Sequence, residues 1–543
     1  MTDEWVDCDV LVIGGGIAGC FAALRAREAK LDVVLVNKGR LGKSGYSHQM
    51  AGVLTYFDPQ QDDHQSWYRE CVEAGGGLSD LERFEGMIHE TTDRIRELEG
   101  WGVTFQKSAG KFIRKAGIGH KYARNVVMTD GGFQLMASLR EQILRQGVRL
   151  IENVMVTHLL TSDGLEPTQA GVSGAVGLSI KDGKFYVLPS KAVVVAAGCC
   201  DFDRVGAHLS GDGCAMVWKV GCEMRNIELT MPTLKPSGGN ILFGLGAQLV
   251  NREGDRFMRR YDPDKMEHAT RDVLARSIAL EEMAGHGPIY LDARHIDEAG
   301  QRIIARAVPI LIKYLKKAGL DLRVDRMRYT STMYHSLGPG GIRVDKEGKT
   351  SIPGLWAGGA SSDHGEDGVI NVISHGMLSA IGGHRAGVSA ADYALQAKRA
   401  QIIDKQVEQI KEEVFSPRLR TQGISYRDIA SDFKEITKLL GMVRSEESLT
   451  RALEKIDNLH REKIPRLVAK EYQDLSRVLG VGSQLLFLKL LAKCALHRTE
   501  SRGGHYRLDY PQPDDERWLR WVIVKRGEKG MEVWDQPLPH AQP

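Results

Sequence analysis

The sequence predicts an α/β fold whose parallel sheet is interrupted by an inserted segment and followed by a helical region. Strand-like and helix-like stretches alternate over residues 1–225, which is typical of an α/β domain. Strand-like signals return at 354–359 after a stretch of loops and short strands, which indicates that the middle segment is an insertion. Residues 400–500 are rich in Lys, Glu and Leu at helical spacing, which predicts a helical bundle.

The length of 543 residues exceeds what one hydrophobic core supports, so several domains are expected. The predicted parts are a first α/β part, an inserted α+β domain, a second α/β part, a helical domain and a C-terminal segment. Their predicted boundaries are 1–225, 226–335, 336–400, 401–500 and 501–543.

A glycine-rich turn near the N-terminus carries the first specific motif. Gly14, Gly16 and Gly19, with Ala18 among them, keep the G-x-G-x-x-G spacing between an apolar run and a helix. This spacing provides a tight turn, room for a pyrophosphate and close helix–strand packing, while the helix N-terminus attracts phosphate. A second apolar run at 33–36 completes a Rossmann-like βαβ unit. The motif predicts dinucleotide binding; the alternative is a glycine-rich turn without a ligand.

Two further segments are predicted to reach the same ligand. An apolar strand at 191–198 ends in Ala197 and Gly198, whose backbone N–H groups would lie near the cofactor. A tight turn at 210–213 then leads into a helix that begins near Asp212.

Charge and apolar patterning exclude several classes of protein. A net charge of +3 is close to balanced and argues against nucleic acid as a partner. The first strand begins by residue 10, which leaves no room for a signal peptide. The most apolar run, at 485–491, is interrupted by Lys489, so we expect no direct membrane span. A cytoplasmic protein is expected, either free or attached to a membrane complex.

The eight cysteines show no C-x-x-C spacing, so a metal or iron–sulfur site built by this chain alone is not expected. Buried, reduced thiols are typical of a cytosolic protein. The adjacent pair Cys199 and Cys200 leaves open the alternative of a redox role.

Several blocks together resemble the flavoprotein subunits of succinate dehydrogenase and fumarate reductase, together with L-aspartate oxidase and adenylylsulfate reductase. The blocks occur in the order of that family and span nearly the whole chain, at 14–19, 43–52, 210–213, 270–277, 352–359 and 496–503. The resemblance implies an FAD-binding domain, a mobile capping domain and a C-terminal helical domain. It also implies FAD rather than NAD, because Lys38 follows the second strand where NAD sites carry an acidic residue. The alternative is that Lys38 is a surface cation.

The same resemblance predicts how the flavin is held. In respiratory members a histidine follows the serine of the second block and bonds covalently to the flavin, but here Ser44 is followed by Gly45. His48 is out of register with that histidine, so we expect non-covalent FAD, with His48 either near the ring or structural. Further cofactor contacts are expected at Gly52, Gly359, Ser374 and His375, the last two at the start of a helix running to about residue 391.

Two residues are implied in catalysis by the resemblance. Arg271 matches the arginine that relays a proton on the capping domain, either alone or with a carboxylate such as Asp272; the alternative is a structural salt bridge. Arg276 lies about 140° further around a helix and need not serve the same site. His335 matches a histidine that binds a substrate carboxylate; the alternative is a histidine at a domain junction.

Three departures leave the substrate open. Met231 stands where dicarboxylate-specific relatives carry histidine before Pro-Thr, the Thr-Glu pair of the next loop has no clear counterpart in 239–250, and 364–370 contains no cation. A site without these partners binds a dicarboxylate more weakly.

The function expected from the sequence is hydride transfer between flavin N5 and a C–C bond activated by a carboxylate or carbonyl. The partners expected are a small-molecule substrate and an iron–sulfur protein that exchanges electrons with the flavin. One alternative is a stand-alone oxidase like L-aspartate oxidase. Another is an electron-relay subunit whose substrate pocket has decayed.

Overall fold

The computed structural model describes residues 3–50, 52–116, 120–236, 239–334, 340–365 and 372–539. These residues form the expected α/β fold. The strands are β1 Glu4–Trp5, β2 Val10–Ile13, β3 Val33–Asn37, β4 Val53–Thr55, β5 Lys107–Ser108, β6 Lys111–Phe112, β7 Arg114–Lys115, β8 Asn125–Val127, β9 Arg149–Glu152, β10 Val154–Thr161, β11 Val172–Ser179, β12 Phe185–Pro189, β13 Ala192–Val195, β14 Met224–Arg225, β15 Met231–Lys235, β16 Gln248–Val250, β17 Tyr290–Asp292, β18 Met327–Arg328, β19 Thr330–Tyr334, β20 Gly341–Ile342, β21 Leu355–Ala357, β22 Arg520–Gly527 and β23 Gly530–Pro537.

The helices include the long elements that the periodicity predicts. They are α1 Ile17–Glu28, α2 His64–Ala74, α3 Leu81–Gly100, α4 Gly131–Arg145, α5 Asp212–Lys219, α6 Gly239–Gly244, α7 Met258–Tyr261, α8 Arg271–Met283, α9 Glu298–Ala307, α10 Pro309–Ala318, α11 His375–Gln396, α12 Asp404–Leu419, α13 Ala430–Leu439, α14 Glu446–Glu462, α15 Tyr472–His497 and α16 Asp515–Trp518. Helix α11 continues to Gln396, beyond the end at about residue 391 that the sequence predicts.

A five-stranded parallel sheet in the order β21-β13-β2-β3-β9 lies at the centre of the fold. Strands β2 and β13 are buried on both faces, as their unbroken runs of Val, Ile and Leu predict for a sheet covered by helices. Strand β21 joins this sheet although the chain reaches it only after the middle segment. The α/β part is therefore discontinuous in sequence.

Helix α11 packs against α1 at unusually close range. A Cβ added to Gly383 would lie 2.2 Å from the Ala18 carbonyl oxygen, and one added to Gly387 would lie 2.5 Å from that of Ala22. The glycines of α11 thus allow the two helices to lie together over the sheet. Both helices begin at the same edge of the sheet, where the carboxyl ends of β2 and β21 lie.

The middle segment, residues 226–334, has a hydrophobic core of its own. It contains the antiparallel pair β15–β19 and the sheet β16-β17-β18. Buried side chains such as Leu274, Ile278 and Tyr329 form a cluster that is separate from the two larger ones. Most of the buried apolar side chains of this segment thus pack against one another rather than against the α/β part.

Residues 404–497 form the helices α12 to α15, as the sequence predicts. Helix α15 is the one helix among the described residues that is long and apolar enough to cross a membrane, although 67% of its most apolar window is buried inside the protein. It contains the apolar run at 485–491 that Lys489 interrupts. Its buried Leu485, Leu488 and Leu491 belong to the largest hydrophobic cluster, which is what a core helix does.

The C-terminal segment contains a hairpin that the sequence analysis did not predict. Strands β22 and β23 pair with each other, and β22 also pairs with β14, in a sheet ordered β20-β14-β22-β23. The last part of the chain is thereby joined to the residues where the middle segment begins.

A fully buried ionic cluster strengthens that junction. Arg498 donates to the carboxylates of Glu228 at 2.7 Å and Glu500 at 2.8 Å. Arg444 donates to the Glu228 carbonyl oxygen at 2.8 Å and to the Thr230 hydroxyl at 2.9 Å. We name these residues the 228–500 cluster; it fixes the chain immediately before β15.

Candidate active site

A cavity of about 620 Å³ lies at the carboxyl ends of β2, β3, β13 and β21 and extends to the middle segment. This is where open parallel sheets bind ligands, and the volume is typical of cofactor sites. Most residues predicted to contact the cofactor line it, namely Gly14, Gly16, Ala18, Lys38, Ser44, Gly45, Ala197, Gly198, Asp212, Gly359, Ser374 and His375. We call it the central cavity.

The glycines of the first motif divide into supporting and lining positions. A Cβ on Gly14 (φ +108°) would lie 2.3 Å from the Ala196 carbonyl oxygen, and one on Gly19 would lie 1.8 Å from that of Gly14. Gly19 does not line the central cavity, because it packs beneath the turn. Gly16 faces the cavity, with only the Ser47 hydroxyl within 4 Å of its Cβ position. The turn thus leaves room for a ligand beside backbone N–H groups.

Lys38 is held inside the wall of the central cavity. Its ammonium group donates to the Asp212 carboxylate at 2.9 Å, the Ser210 hydroxyl at 3.0 Å and the His208 carbonyl oxygen at 3.0 Å. Its side chain is 17% exposed, so the surface-cation alternative does not describe it. Burial lowers the pKa of His208 to about 4, and the Lys38 charge contributes.

Asn37 is a functional candidate that the sequence analysis missed. Its amide oxygen accepts a hydrogen bond from the Gly15 backbone N–H at 3.0 Å, and its amide nitrogen donates to the Ser44 hydroxyl at 3.3 Å. It thereby connects the glycine turn to the loop after β3. The polar residue at the end of an apolar strand was the available signal.

The loop at 44–48 contributes to the cavity wall without its histidine. Ser44 and Gly45 (φ +80°) line the central cavity, whereas a ring nitrogen of His48 lies 2.8 Å from the Gly45 carbonyl oxygen and its ring packs edge-on against Phe133. His48 is not among the lining residues, which favours the structural alternative. Gly52 (φ +80°) does not line the cavity either.

The opposite wall is formed by the start of α11 and the loop after β21. Gly359 (φ +65°) would place a Cβ 2.7 Å from the side chain of Ala18, so this loop approaches α1 closely. The Ser374 hydroxyl accepts from the Thr55 backbone N–H at 3.1 Å and is therefore turned away from the backbone N–H groups of α11. His375 lines the cavity and packs against the buried ring of His364.

These walls fit a dinucleotide. A Cβ at Gly14, Gly19 or Gly359 would meet neighbouring protein atoms. The glycine turn, α1 and the loop after β21 therefore pack closely against one another around the cavity. The N-termini of α1 and α11 both open onto the cavity without side-chain caps. Uncapped helix N-termini bind anionic groups.

At the end formed by the middle segment, the central cavity holds Arg271, the first residue of α8. Its Nη1 donates to the Met231 sulfur at 3.5 Å, and no carboxylate among the described residues forms an ion pair with it. Burial lowers the pKa of the Arg271 guanidinium. The salt-bridge alternative is therefore not what the described residues show.

The neighbours of Arg271 along α8 lie outside the cavity. Asp272 does not line it, and burial raises the pKa of its carboxyl. The guanidinium of Arg276 lies over the Tyr506 ring, 4.8 Å from its centre. The structure thus separates Arg276 from Arg271, as the helical geometry predicts, and does not join Asp272 to the arginine as a proton partner.

Tyr329 and His120 line the same end of the cavity and were missed by the sequence analysis. Tyr329 is buried, its ring meets Phe243 edge-on, and burial raises the pKa of its hydroxyl. Burial lowers the pKa of His120, and the Arg271 charge lowers it further. Both are isolated residues far from Arg271 in sequence, and neither had a motif to mark it. His335 lies outside the described residues.

Comparison with known proteins identifies the family. The family described as "FAD binding domain" matches residues 9–372, and "Fumarate reductase flavoprotein C-term" matches residues 434–541. The chain belongs to the succinate dehydrogenase and fumarate reductase flavoprotein family. It is a flavin-dependent oxidoreductase, and its dinucleotide is FAD.

Relatives of this family align over almost the full length. A fumarate reductase (CoM/CoB) subunit of Methanothermobacter marburgensis is 30% identical over 97% of this chain and 98% of its own. L-aspartate oxidase of Streptomyces coelicolor is 28% identical over 96% of this chain and 92% of its own. Sdh1 of Mycobacterium smegmatis, solved in complex with UQ1, has a TM-score of 0.87 at 26% identity, covering 99% of this chain and 96% of its own. The flavoprotein fold is thus shared along the whole chain.

Proposed function

We propose that this flavoprotein transfers a hydride between flavin N5 and a C–C bond next to a carboxylate or carbonyl. The observation that carries the proposal is one guanidinium, free of carboxylate partners among the described residues, in the same cavity as the FAD-binding turn. FAD, when bound, supplies the hydride chemistry. The protein must then bind and orient the substrate, exclude water and provide the proton.

Arg271 is the proposed proton donor and acceptor. An ordinary arginine holds its proton too firmly for this role, but burial lowers the pKa of Arg271, and no described carboxylate stabilises its charged form. The hydroxyl of Tyr329 lines the same end of the cavity. We propose that this hydroxyl orients the Arg271 guanidinium, so that the proton that Arg271 transfers faces the substrate.

The N-terminus of α11 is proposed to stabilise negative charge on the reduced cofactor. Ser374 and His375 open this helix at the cavity wall, and the partial positive charge of a helix N-terminus favours anions. The remaining cavity residues predicted from the sequence are proposed to hold FAD without a covalent bond, because His48 is turned toward Gly45. Acid precipitation that left flavin attached to the protein would contradict this.

The middle segment is proposed to act as the capping domain. It carries both Met231 and Arg271 into the central cavity and has a separate hydrophobic core, so it can move as a unit. We propose His335, at its end, as a substrate contact.

Electrons are proposed to pass to or from an iron–sulfur protein. The sequence has no C-x-x-C pair, so a cluster of the common cysteine spacing would come from another chain. Relatives named as subunits of fumarate reductases support a complex. A cytoplasmic location, free or at a membrane complex, belongs to the same proposal.

A stand-alone oxidase resembling L-aspartate oxidase is the second candidate, favoured by the 28% identity to such an enzyme over 96% of the chain. Oxygen would then reoxidise the flavin. Rapid peroxide formation by the isolated holoenzyme with a reducing substrate would favour this candidate, whereas slow formation would favour an electron-transfer partner.

Replacing Arg271 with Ala tests the proposed chemistry. We expect reoxidation of the dithionite-reduced flavin by unsaturated carboxylic acids and their half-esters to slow by about 10²–10⁴-fold, which is the usual contribution of a general acid. Arg276→Ala, on the same helix but against Tyr506, is the matched control and should keep its rate. An Arg271→Ala enzyme that reacts as fast as wild type would overturn the proposal.

A further inference from the structure

The central cavity offers a substrate little positive charge. Among the described residues that line the cavity, there is one lysine, Lys38, and one arginine, Arg271. Lys38 is already paired with Asp212 at 2.9 Å and follows the nucleotide-binding strand β3. Among the lysines and arginines of the described lining, Arg271 is therefore the one left to balance an anionic substrate, while His335, proposed above as a substrate contact, lies outside the described residues.

Two histidines at the cavity wall, His120 and His208, add no fixed charge near Arg271, and the third described one, His375, is the first residue of α11. Burial lowers the pKa of His120, and the Arg271 charge lowers it further. Burial lowers the pKa of His208 to about 4. Both imidazoles are accordingly neutral at pH 7.

Four internal segments that lie outside the described residues contain neither lysine nor arginine in their sequences. Segments 117–119, 237–238, 335–339 and 366–371 contain one histidine, His335, and two acidic residues, Glu366 and Asp367. Their sequences thus add more potential negative than positive charge.

The described side chains that line the cavity beside Arg271 are apolar or polar without a fixed charge. The Met231 sulfur accepts from Arg271 Nη1 at 3.5 Å, so a thioether stands next to the guanidinium. Met231 and Leu234 are buried side chains of β15 that line the cavity, and Thr233 of the same strand lines it with a neutral hydroxyl. A second carboxylate placed here would lose its water and gain at most neutral hydrogen-bond donors such as the Thr233 and Tyr329 hydroxyls, which leaves its charge unbalanced and is unfavourable.

We propose that the substrate carries a single negative charge, balanced by Arg271, and a neutral group that lies against Met231 and Leu234. This rests on the proposed function and narrows its substrate class to unsaturated monocarboxylates and half-esters. In the reducing direction the C=C π bond breaks, one carbon gains a hydride from the reduced flavin, and the adjacent carbon gains a proton from Arg271. The flavin is oxidised, and Arg271 regains its proton from solvent.

The test compares probes that differ in one charge. Anaerobic, dithionite-reduced holoenzyme is mixed with fumarate or with monomethyl fumarate, and flavin reoxidation is followed. We expect kcat/KM for the half-ester to exceed that for fumarate by about tenfold or more. Equal or faster reoxidation by fumarate would overturn the inference. Reoxidation by neither probe would count against the proposed function itself, and this inference would fall with it.

A binding measurement removes the greater chemical reactivity of the ester as a cause. Monomethyl succinate and succinate are titrated into the oxidised holoenzyme, and dissociation constants are read from the flavin spectrum. We expect the half-ester to bind about tenfold more tightly or better. Equal affinities would contradict a requirement for a single charge.

Met231→Lys adds a second cation beside Arg271 and should lower the preference for the half-ester by about tenfold. The matched control is Met283→Lys, which makes the same change at a methionine that is 62% exposed and should leave the preference unchanged. A Met231→Lys enzyme that holds FAD and keeps the wild-type preference would overturn the inference. If that variant does not hold FAD, the comparison of probes on the wild-type enzyme decides.

Discussion

The two ends of the central cavity are built in different ways. At the nucleotide end, Gly14, Gly16 and Gly359 line the cavity with their backbone. The elements that carry them belong to one parallel sheet and its helices. At the other end, Met231, Arg271 and other side chains from distant parts of the chain meet. Backbone recognition depends on the fold itself, whereas side chains can change while the fold persists. Relatives named fumarate reductase and L-aspartate oxidase can therefore share one architecture.

The nucleotide end should be the less tolerant of change. Gly19→Ala would place a Cβ 1.8 Å from the Gly14 carbonyl oxygen, so the turn and α1 would have to separate. We expect FAD affinity to fall by about a hundredfold or more, equivalent to about 2.7 kcal/mol. The measurement is the flavin-to-protein ratio after gel filtration. Gly100→Ala, at the exposed end of α3 with nothing within 4 Å, should retain flavin fully; equal retention by both variants would refute the comparison.

At the nucleotide end, the ion pair between Lys38 and Asp212 is a side-chain contribution to FAD binding that can be tested. Lys38→Met removes three hydrogen bonds and leaves the part-buried Asp212 without its ion-pair partner, with the Ser210 hydroxyl still donating to it, so we expect the dissociation constant of FAD to rise about tenfold. Titration of the apoprotein with FAD measures it. Lys191→Met breaks a comparable pair with Asp9 at the other end of β13 and should not alter FAD affinity. An equal rise in the FAD dissociation constant in both variants would mean that Lys38 affects FAD binding only through the stability of the folded protein.

Tyr329→Phe should change the chemistry at the Arg271 end of the cavity without changing FAD binding at the nucleotide end. The ring packing against Phe243 is kept and only the hydroxyl is lost, so FAD should bind as in wild type. We expect kcat for flavin reoxidation to fall about fivefold, in line with the loss of one polar contact, and the pH dependence of kcat to shift. Unchanged kcat and pH profile would limit Tyr329 to packing.

Acid should weaken the apoprotein through His208. Its pKa is about 4 in the folded state against an ordinary 6.5, so the unfolded chain binds the extra proton between these values. Stability is therefore lost as pH falls from 6.5 to 4, by at most about 1.4 kcal/mol per pH unit. Urea unfolding at several pH values measures this.

The variant His208→Gln should flatten that dependence, whereas His268→Gln, at an exposed position, should leave the slope unchanged. Identical slopes for wild type and His208→Gln would show that His208 does not titrate as described.

The difference between the two ends also decides what the sequence could reveal. The strands β2, β3, β13 and β21 and the start of α11 were predictable because local patterns encode them. Arg271 was found only through resemblance. Tyr329 and His120 carry no local signal, since a long chain path brings each to the cavity. The hairpin of β22 and β23 was missed although its own pairing is local, with Gly527 opposite Gly530; only its attachment to β14 is a long-range contact.

The 228–500 cluster has a consequence for how the protein is made. The residues that secure the approach to β15 include Arg444, Arg498 and Glu500, which leave the ribosome near the end of synthesis. Since chains fold from the N-terminus as they emerge, the glycine turn can take shape early, whereas the strand bearing Met231 is fastened only when translation is almost complete. A nonsense mutation before residue 498 would consequently yield a chain whose buried Glu228 lacks its counter-ion, a fault that quality-control proteases would be expected to detect.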